Sequence, residues 1–126
     1  MIEAIFRSDL IKLSQGSDAK ILSIGLGGGT VNGFLHHVFP KMNITVVEVS
    51  RQMVNMARKW FGLIEDDHHR VVTADGVAFL AKEAALGAVY DAILLDACLS
   101  EQSEGVICPF KTFLNDDVLE NIARLL

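Results

Sequence analysis

Apolar positions along the chain follow two rhythms. Lys20 to Ile24, Ile44 to Val49, Val71 to Ala74 and Ala92 to Leu95 are short, nearly unbroken apolar runs. Runs of that length, rich in β-branched residues, predict strands buried on both faces. Between them the apolar residues recur at helical spacing. Ile2, Ile5, Phe6, Leu10 and Leu13 predict a helix over residues 2 to 13, closed by the polar loop Ser14 to Asp18. A second helix, carrying Val31, Phe34, Leu35 and Val38, runs to about Phe39, and Pro40 helps to stop it. Ser50 predicts an N-cap for a third, with Met53, Met56, Ala57 and Trp60 on one core-facing side and Gly62 as its terminator. Asp75-Gly76 turns the chain into a fourth, which places Val77, Leu80, Ala81 and Ala84 together. After a loop from Ala97 to about Leu114, Asn115 predicts the cap of a last helix. Its acidic first turn, Asp116-Asp117, suits the helix dipole, and Val118, Leu119, Ile122, Ala123, Leu125 and Leu126 form its apolar side.

This βαβαβαβα order predicts an α/β fold, a doubly wound parallel sheet within a single domain over residues 1–126. The last helix is apolar and no strand pattern follows it, which would leave a hydrophobic sheet edge beside it. The expectation is therefore the front, four-strand part of a larger sheet, truncated at its C-terminal end. A small domain completed by self-association, and so a homo-oligomer, is the second choice.

Composition narrows the partners. A net charge of −5 without a Lys/Arg cluster sets nucleic acid aside. No apolar run approaches the roughly 18 residues of a membrane span, and the start Met1-Ile2-Glu3-Ala4 lacks the pattern of a signal peptide. Cys98 and Cys108 do not make a disulfide scaffold, so a reducing, cytoplasmic setting is expected, with Cys98 as a small packing residue.

The chemistry lies at the ends of the strand patterns. Ile24-Gly25-Leu26-Gly27-Gly28-Gly29-Thr30 follows the first strand and opens a helix. Glycines let the backbone turn with φ > 0 and let a ligand approach closely, and the next helix start offers free N–H groups and a positive dipole end. The second strand ends in Glu48, near the roughly 20-residue spacing at which a carboxylate meets ribose hydroxyls. The third ends in Asp75, either an acceptor for an exocyclic adenine amine or a helix cap, or both. The fourth ends in Asp96, where the reacting end of a ligand should lie. Ligands of doubly wound sheets bind at these carboxyl ends, so the acids and the glycine turn form one constellation. Metal ligation is not expected: His36 and His37 point apart on a helix, His68 and His69 fall in a charged loop, and no zinc spacing is present.

Ile24 to Gly29, Val47-Glu48-Val49, Ala74-Asp75-Gly76 and Tyr90 to Asp96 together resemble a class I S-adenosylmethionine-dependent methyltransferase of the spermidine-synthase-like branch. Arg51 to Gly62, Cys108-Pro109-Phe110 and Phe113-Leu114 look like the lysine and N-terminal methyltransferases of elongation factor 1-alpha, and most like their C-terminal domain. The resemblance covers Ala19 to the end. It implies a Rossmann-like seven-strand methyltransferase fold, S-adenosylmethionine as cofactor and a protein substrate. Residue by residue, it implies that Gly25, Leu26, Gly27 and Gly29 line the methionine part. Glu48 with Val49 would hold the ribose, and Asp75 with Gly76 the adenine. Asp96 would sit by the methionine moiety and the acceptor nitrogen, as the catalytic candidate. Aminopropyl-transferring relatives carry an acid where this chain has Leu99 and an aspartate where it has Gly28, and both departures favour methyl transfer. A non-catalytic binding or dimerisation module is the alternative from another class. Thr30, where a dinucleotide fingerprint wants glycine or alanine, disfavours a nicotinamide cofactor.

Overall fold

A computed structural model describes residues 1–7, 9–98 and 108–126. Strands β1 (Lys20–Ile24), β2 (Asn43–Glu48), β3 (His69–Thr73) and β4 (Ala92–Leu95) form one parallel sheet in the order β3-β2-β1-β4. The chain first winds outward from β1 to β3 and then crosses to the other side of β1. That reversal puts a crevice between the carboxyl ends of β1 and β4, where doubly wound sheets bind ligands.

Alternation along the strands builds two cores. Ile21, Ile44, Val46, Val71, Ala92 and Leu94 point to one face; Leu22, Ile24, Val47, Val72, Ile93 and Leu95 point to the other. Helices α2 (Thr30–Val38) and α3 (Arg51–Trp60) cover the first face through Leu35, Val54 and Ala57. Helix α1 (Ile2–Phe6) joins that layer, with Phe6 and Phe39 ring centroids 5.1 Å apart. Helices α4 (Gly76–Ala85) and α5 (Asp116–Leu125), with the 3-10 turn Lys111–Leu114, cover the second face through Phe79, Leu80, Phe113, Val118 and Leu125. The Tyr90 N–H donates to the Leu125 carbonyl at 2.8 Å, tying the end of α5 to the start of β4. The Tyr90 hydroxyl donates to Glu83 at 2.9 Å, and burial together with that carboxylate pushes it up to about 12.

Several sequence expectations are corrected. The first helix stops at Phe6, and the chain turns at Asp9 with φ 57°; Leu10 and Leu13 are exposed, whereas Ile11 is buried. On α3, Ala57 is buried as expected, but Met56 and Trp60 are exposed and Val54 is buried in their place. On α4, Phe79 rather than Ala81 faces the core, since α5 packs alongside. Leu119, Ala123 and Leu126 of α5 are exposed. His69 is not a loop residue: β3 begins there, and the side chain is buried.

Candidate cofactor site

The glycine turn is built by hydrogen bonds that hold each strand end to the next. The N–H of Gly25 donates to the Val47 carbonyl and the N–H of Asp96 to the Ile24 carbonyl, both at 2.8 Å, so β2, β1 and β4 are still in register as they leave the sheet. Gly25 (φ 101°), Gly27 (φ 53°) and Gly29 (φ 76°) all take the left-handed conformation, which a Cβ disfavours. At Gly25 the need is also steric, because a Cβ would lie 2.5 Å from the Asp96 carbonyl oxygen. At Gly27 a Cβ would meet nothing within 4 Å. The floor of the crevice is therefore bare backbone, open above Gly27. Gly29 caps α2, whose first N–H groups face the same side.

Glu48 is placed by the end of β2 and grips the turn. Its Oε2 accepts the Leu26 N–H at 3.0 Å and its Oε1 accepts the Ser50 N–H at 2.8 Å. Each oxygen keeps a further acceptor position, so the carboxylate can still take a diol. Leu26 itself is buried in the core beneath the turn, and Val49 is exposed beside Glu48. Ser50 accepts the Met53 N–H at 3.2 Å as the cap of α3.

Asp75 caps α4, its Oδ1 accepting the Ala78 N–H at 2.9 Å, and it is exposed at the carboxyl end of β3 with Oδ2 uncommitted among the described residues. Gly76 is required there: a Cβ would lie 2.7 Å from Ile24 Cγ2 and 3.0 Å from Phe113 Cζ. Buried Phe113 thus packs directly against Gly76 at the end of β3. All the acids singled out from sequence therefore stand on one edge of the sheet, around the glycine turn. Leu99 lies outside the described residues.

Cys98 corrects the expectation of a packing thiol. It is exposed and disulfide-bonded to Cys108, with the Cα atoms 4.5 Å apart. The spacing of ten residues carried no signal for this pairing; beside it, the Phe110 N–H donates to the Ala97 carbonyl at 2.7 Å, joining the end of β4 to the start of the 3-10 turn. Cys98 Sγ lies 4.0 Å from Asp96 Oδ1. Asp96, Cys98 and Cys108 lie close enough to share a cation, but sulfurs held in a disulfide are not thiolate ligands.

The flank of the turn holds a second polar cluster. His36 Nε2 and Asp66 Oδ2 are 3.0 Å apart. The backbone N–H groups of His68 and His69 and the adjacent His36 hold the Asp66 carboxyl below its ordinary value. Burial alone would raise Glu65, but the Val71 N–H and the Arg58 guanidinium outweigh it and lower the carboxyl. No helix among the described residues is long and apolar enough to cross a membrane.

No protein-family model matches the chain. The Xenopus laevis eEF1A lysine and N-terminal methyltransferase is 35% identical over 109 residues, which cover 86% of this chain and 16% of that protein. Among solved structures, human methyltransferase-like protein 13 in complex with SAH is 31% identical and superimposes over 99% of this chain and 59% of that one, with a TM-score of 0.86. A probable spermidine synthase from Corynebacterium glutamicum shares the fold at 18% identity, with a TM-score of 0.73 over 98% of this chain and 40% of that one. The chain thus spans about one sixth of the curated relatives' length. By sequence and by architecture, it is homologous to part of the eEF1A lysine and N-terminal methyltransferases and has the Rossmann-like fold of S-adenosylmethionine-dependent methyltransferases.

Proposed function

We propose that this chain forms the cofactor-binding part of an S-adenosylmethionine-dependent protein N-methyltransferase. Its acceptor is a lysine or an N-terminal α-amine, with a cytoplasmic translation elongation factor as substrate. The observation that supports the reading is the shared edge: the glycine turn, Glu48, Asp75 and Asp96 all follow the carboxyl ends of parallel strands of one sheet. The likeness to the eEF1A methyltransferases supports the choice of cofactor and acceptor.

The residues fit the cofactor. Open backbone at Gly27 leaves room for a chain to pass, and Gly25 and Gly29 hold that backbone in shape. The backbone of Leu26, whose side chain is buried beneath the turn, and exposed Val49 would border the methionine and ribose positions. Glu48 has acceptor capacity left for the ribose diol, and the uncommitted oxygen of Asp75, beside Gly76, can accept from the adenine amine. When bound, S-adenosylmethionine supplies an electrophilic sulfonium methyl group.

What the protein adds is alignment and a neutral amine. Asp96 leaves β4 with its backbone pinned to Ile24, so its carboxylate is presented from a rigid strand end. There it orients the acceptor amine and accepts its proton. The aminopropyl alternative is disfavoured because Gly28 and Leu99 stand where those enzymes are acidic.

The test uses the full-length protein with radiolabelled S-adenosylmethionine and purified elongation factor 1-alpha. Label should appear on a lysine or the N-terminal amine, and Asp96→Asn should lower kcat at least tenfold. Cofactor binding without any transfer would instead establish a non-catalytic module.

A further inference from the structure

His69 belongs to none of the cofactor-facing groups, yet its ring lies one hydrogen bond away from the helix that carries the glycine turn. The residue is 1% exposed. Its Nδ1 lies 2.6 Å from the Ile64 carbonyl and its Nε2 lies 2.9 Å from Asn32 Nδ2. A carbonyl can only accept, so Nδ1 carries the proton. Nε2 is then a bare acceptor for the Asn32 amide. Asn32 is itself 3% exposed and sits in the first turn of α2. Its Nδ2 lies 3.8 Å from the point a Cβ on Gly29 would occupy, and Leu63, next to Ile64, lies equally close. Two contacts thus converge beside Gly29, one from Leu63 on the segment after α3 and one from the first residue of β3 through the His69–Asn32 bond.

We propose that His69 is a positioning residue for the cofactor site: its neutral ring, through Asn32, holds the start of α2 and the glycine turn in the binding conformation. This inference rests on the reading of the turn as the cofactor floor. Protonation of the ring would put an N–H at Nε2 against the Asn32 amide donors. Asn32 would then have to rotate or move, and the turn it supports would move with it. Burial keeps the ring below its ordinary range, with the nearby His36 acting in the same direction and the Ile64 carbonyl against it. The charged and titratable groups around it are His36 and His37 on α2, whose His36 ring centroid is 5.0 Å away, and Glu65 and Asp66 on the connecting segment. Arg58 of α3 reaches the cluster only through Glu65. None of the carboxylates is hydrogen-bonded to the His69 ring among the described residues; Asp66 and Glu65 act on it only through their charge, in the direction opposite to burial.

The experiment is calorimetric titration of S-adenosylhomocysteine into the full chain between pH 8.0 and 5.5, for the wild type, His69→Gln and Asn32→Asp. Long-range proton–nitrogen spectra of the histidine rings accompany it. Wild-type affinity should fall about fivefold or more as the ring protonates, the worth of one buried hydrogen bond. The spectra should show the Nδ1–H tautomer at neutral pH. In His69→Gln the pH dependence should flatten. In Asn32→Asp a carboxylate faces the ring, so His69 should titrate at higher pH than in the wild type. Identical pH profiles for wild type and His69→Gln, or an Nε2–H tautomer, would overturn the proposal while leaving the cofactor reading standing. Absence of binding by the wild type at every pH would overturn both.

Discussion

Glu48 and Leu26 are joined by a 3.0 Å hydrogen bond from the Leu26 N–H to Oε2, so the carboxylate at the end of β2 holds the glycine turn after β1. The Ser50 N–H takes the other oxygen at 2.8 Å. One side chain therefore shapes the floor and also borders the crevice. Glu48→Ala should weaken S-adenosylmethionine binding by about 1–3 kcal/mol, because hydrogen bonds to a charged group are lost. It should also lower the denaturation midpoint, since the turn loses its acceptor. An unchanged affinity would mean that the ribose is held elsewhere.

Gly25 and Gly27 should separate stability from binding. At Gly25 an alanine Cβ meets the Asp96 carbonyl at 2.5 Å in a left-handed backbone, so Gly25→Ala should destabilise the fold by at least about 2 kcal/mol. At Gly27 the same change meets open space within 4 Å, and its cost should be limited to about 1–2 kcal/mol of backbone strain. Cofactor affinity should nevertheless drop, because the new methyl group enters the crevice. Thermal melts paired with calorimetry on both variants check the contrast.

Asp75 has two separable duties. Asp75→Ala should cost about 1 kcal/mol of stability through the lost cap of α4. Asp75→Ser keeps a capping oxygen and should restore most of that stability. It should not restore affinity if the second carboxylate oxygen meets the adenine amine. Recovery of both would reduce Asp75 to a cap.

Stability should depend on pH through His69. Its ring is held below the ordinary value of 6.5 in the folded chain, so as the pH falls the unfolded chain takes up a proton first. The contribution is whole above about that value and is lost as the pH drops toward the folded one. Urea midpoints should therefore fall between pH 7.5 and 5.5, and the slope should shrink in His69→Gln. Asp66, held below its ordinary value, contributes a separate loss at more acidic pH.

Much of this arrangement was legible in the residues. β1 and β4 were read with their observed bounds, because their apolar runs are bracketed by polar loops and a glycine turn. The acids at the strand ends were legible because a parallel sheet puts all such ends on one side. The burial of α3 was not: Met56 and Trp60 fit a helical stripe as well as Val54 does, and only the sheet beneath decides which is covered. Neither was the His69–Asn32 bond, since it joins residues 37 apart in sequence whose meeting depends on how α2 lies over β3. Neither was the Cys98–Cys108 pair, since a spacing of ten residues does not specify that two cysteines meet.

If the strand ends around Gly27 hold S-adenosylmethionine, binding should be selective for it. Isothermal titration of the chain with S-adenosylmethionine, its decarboxylated form and NAD tests it most directly. Saturable one-to-one binding of S-adenosylmethionine is expected, with weaker binding of the decarboxylated form and none of NAD. Binding of NAD alone would contradict it.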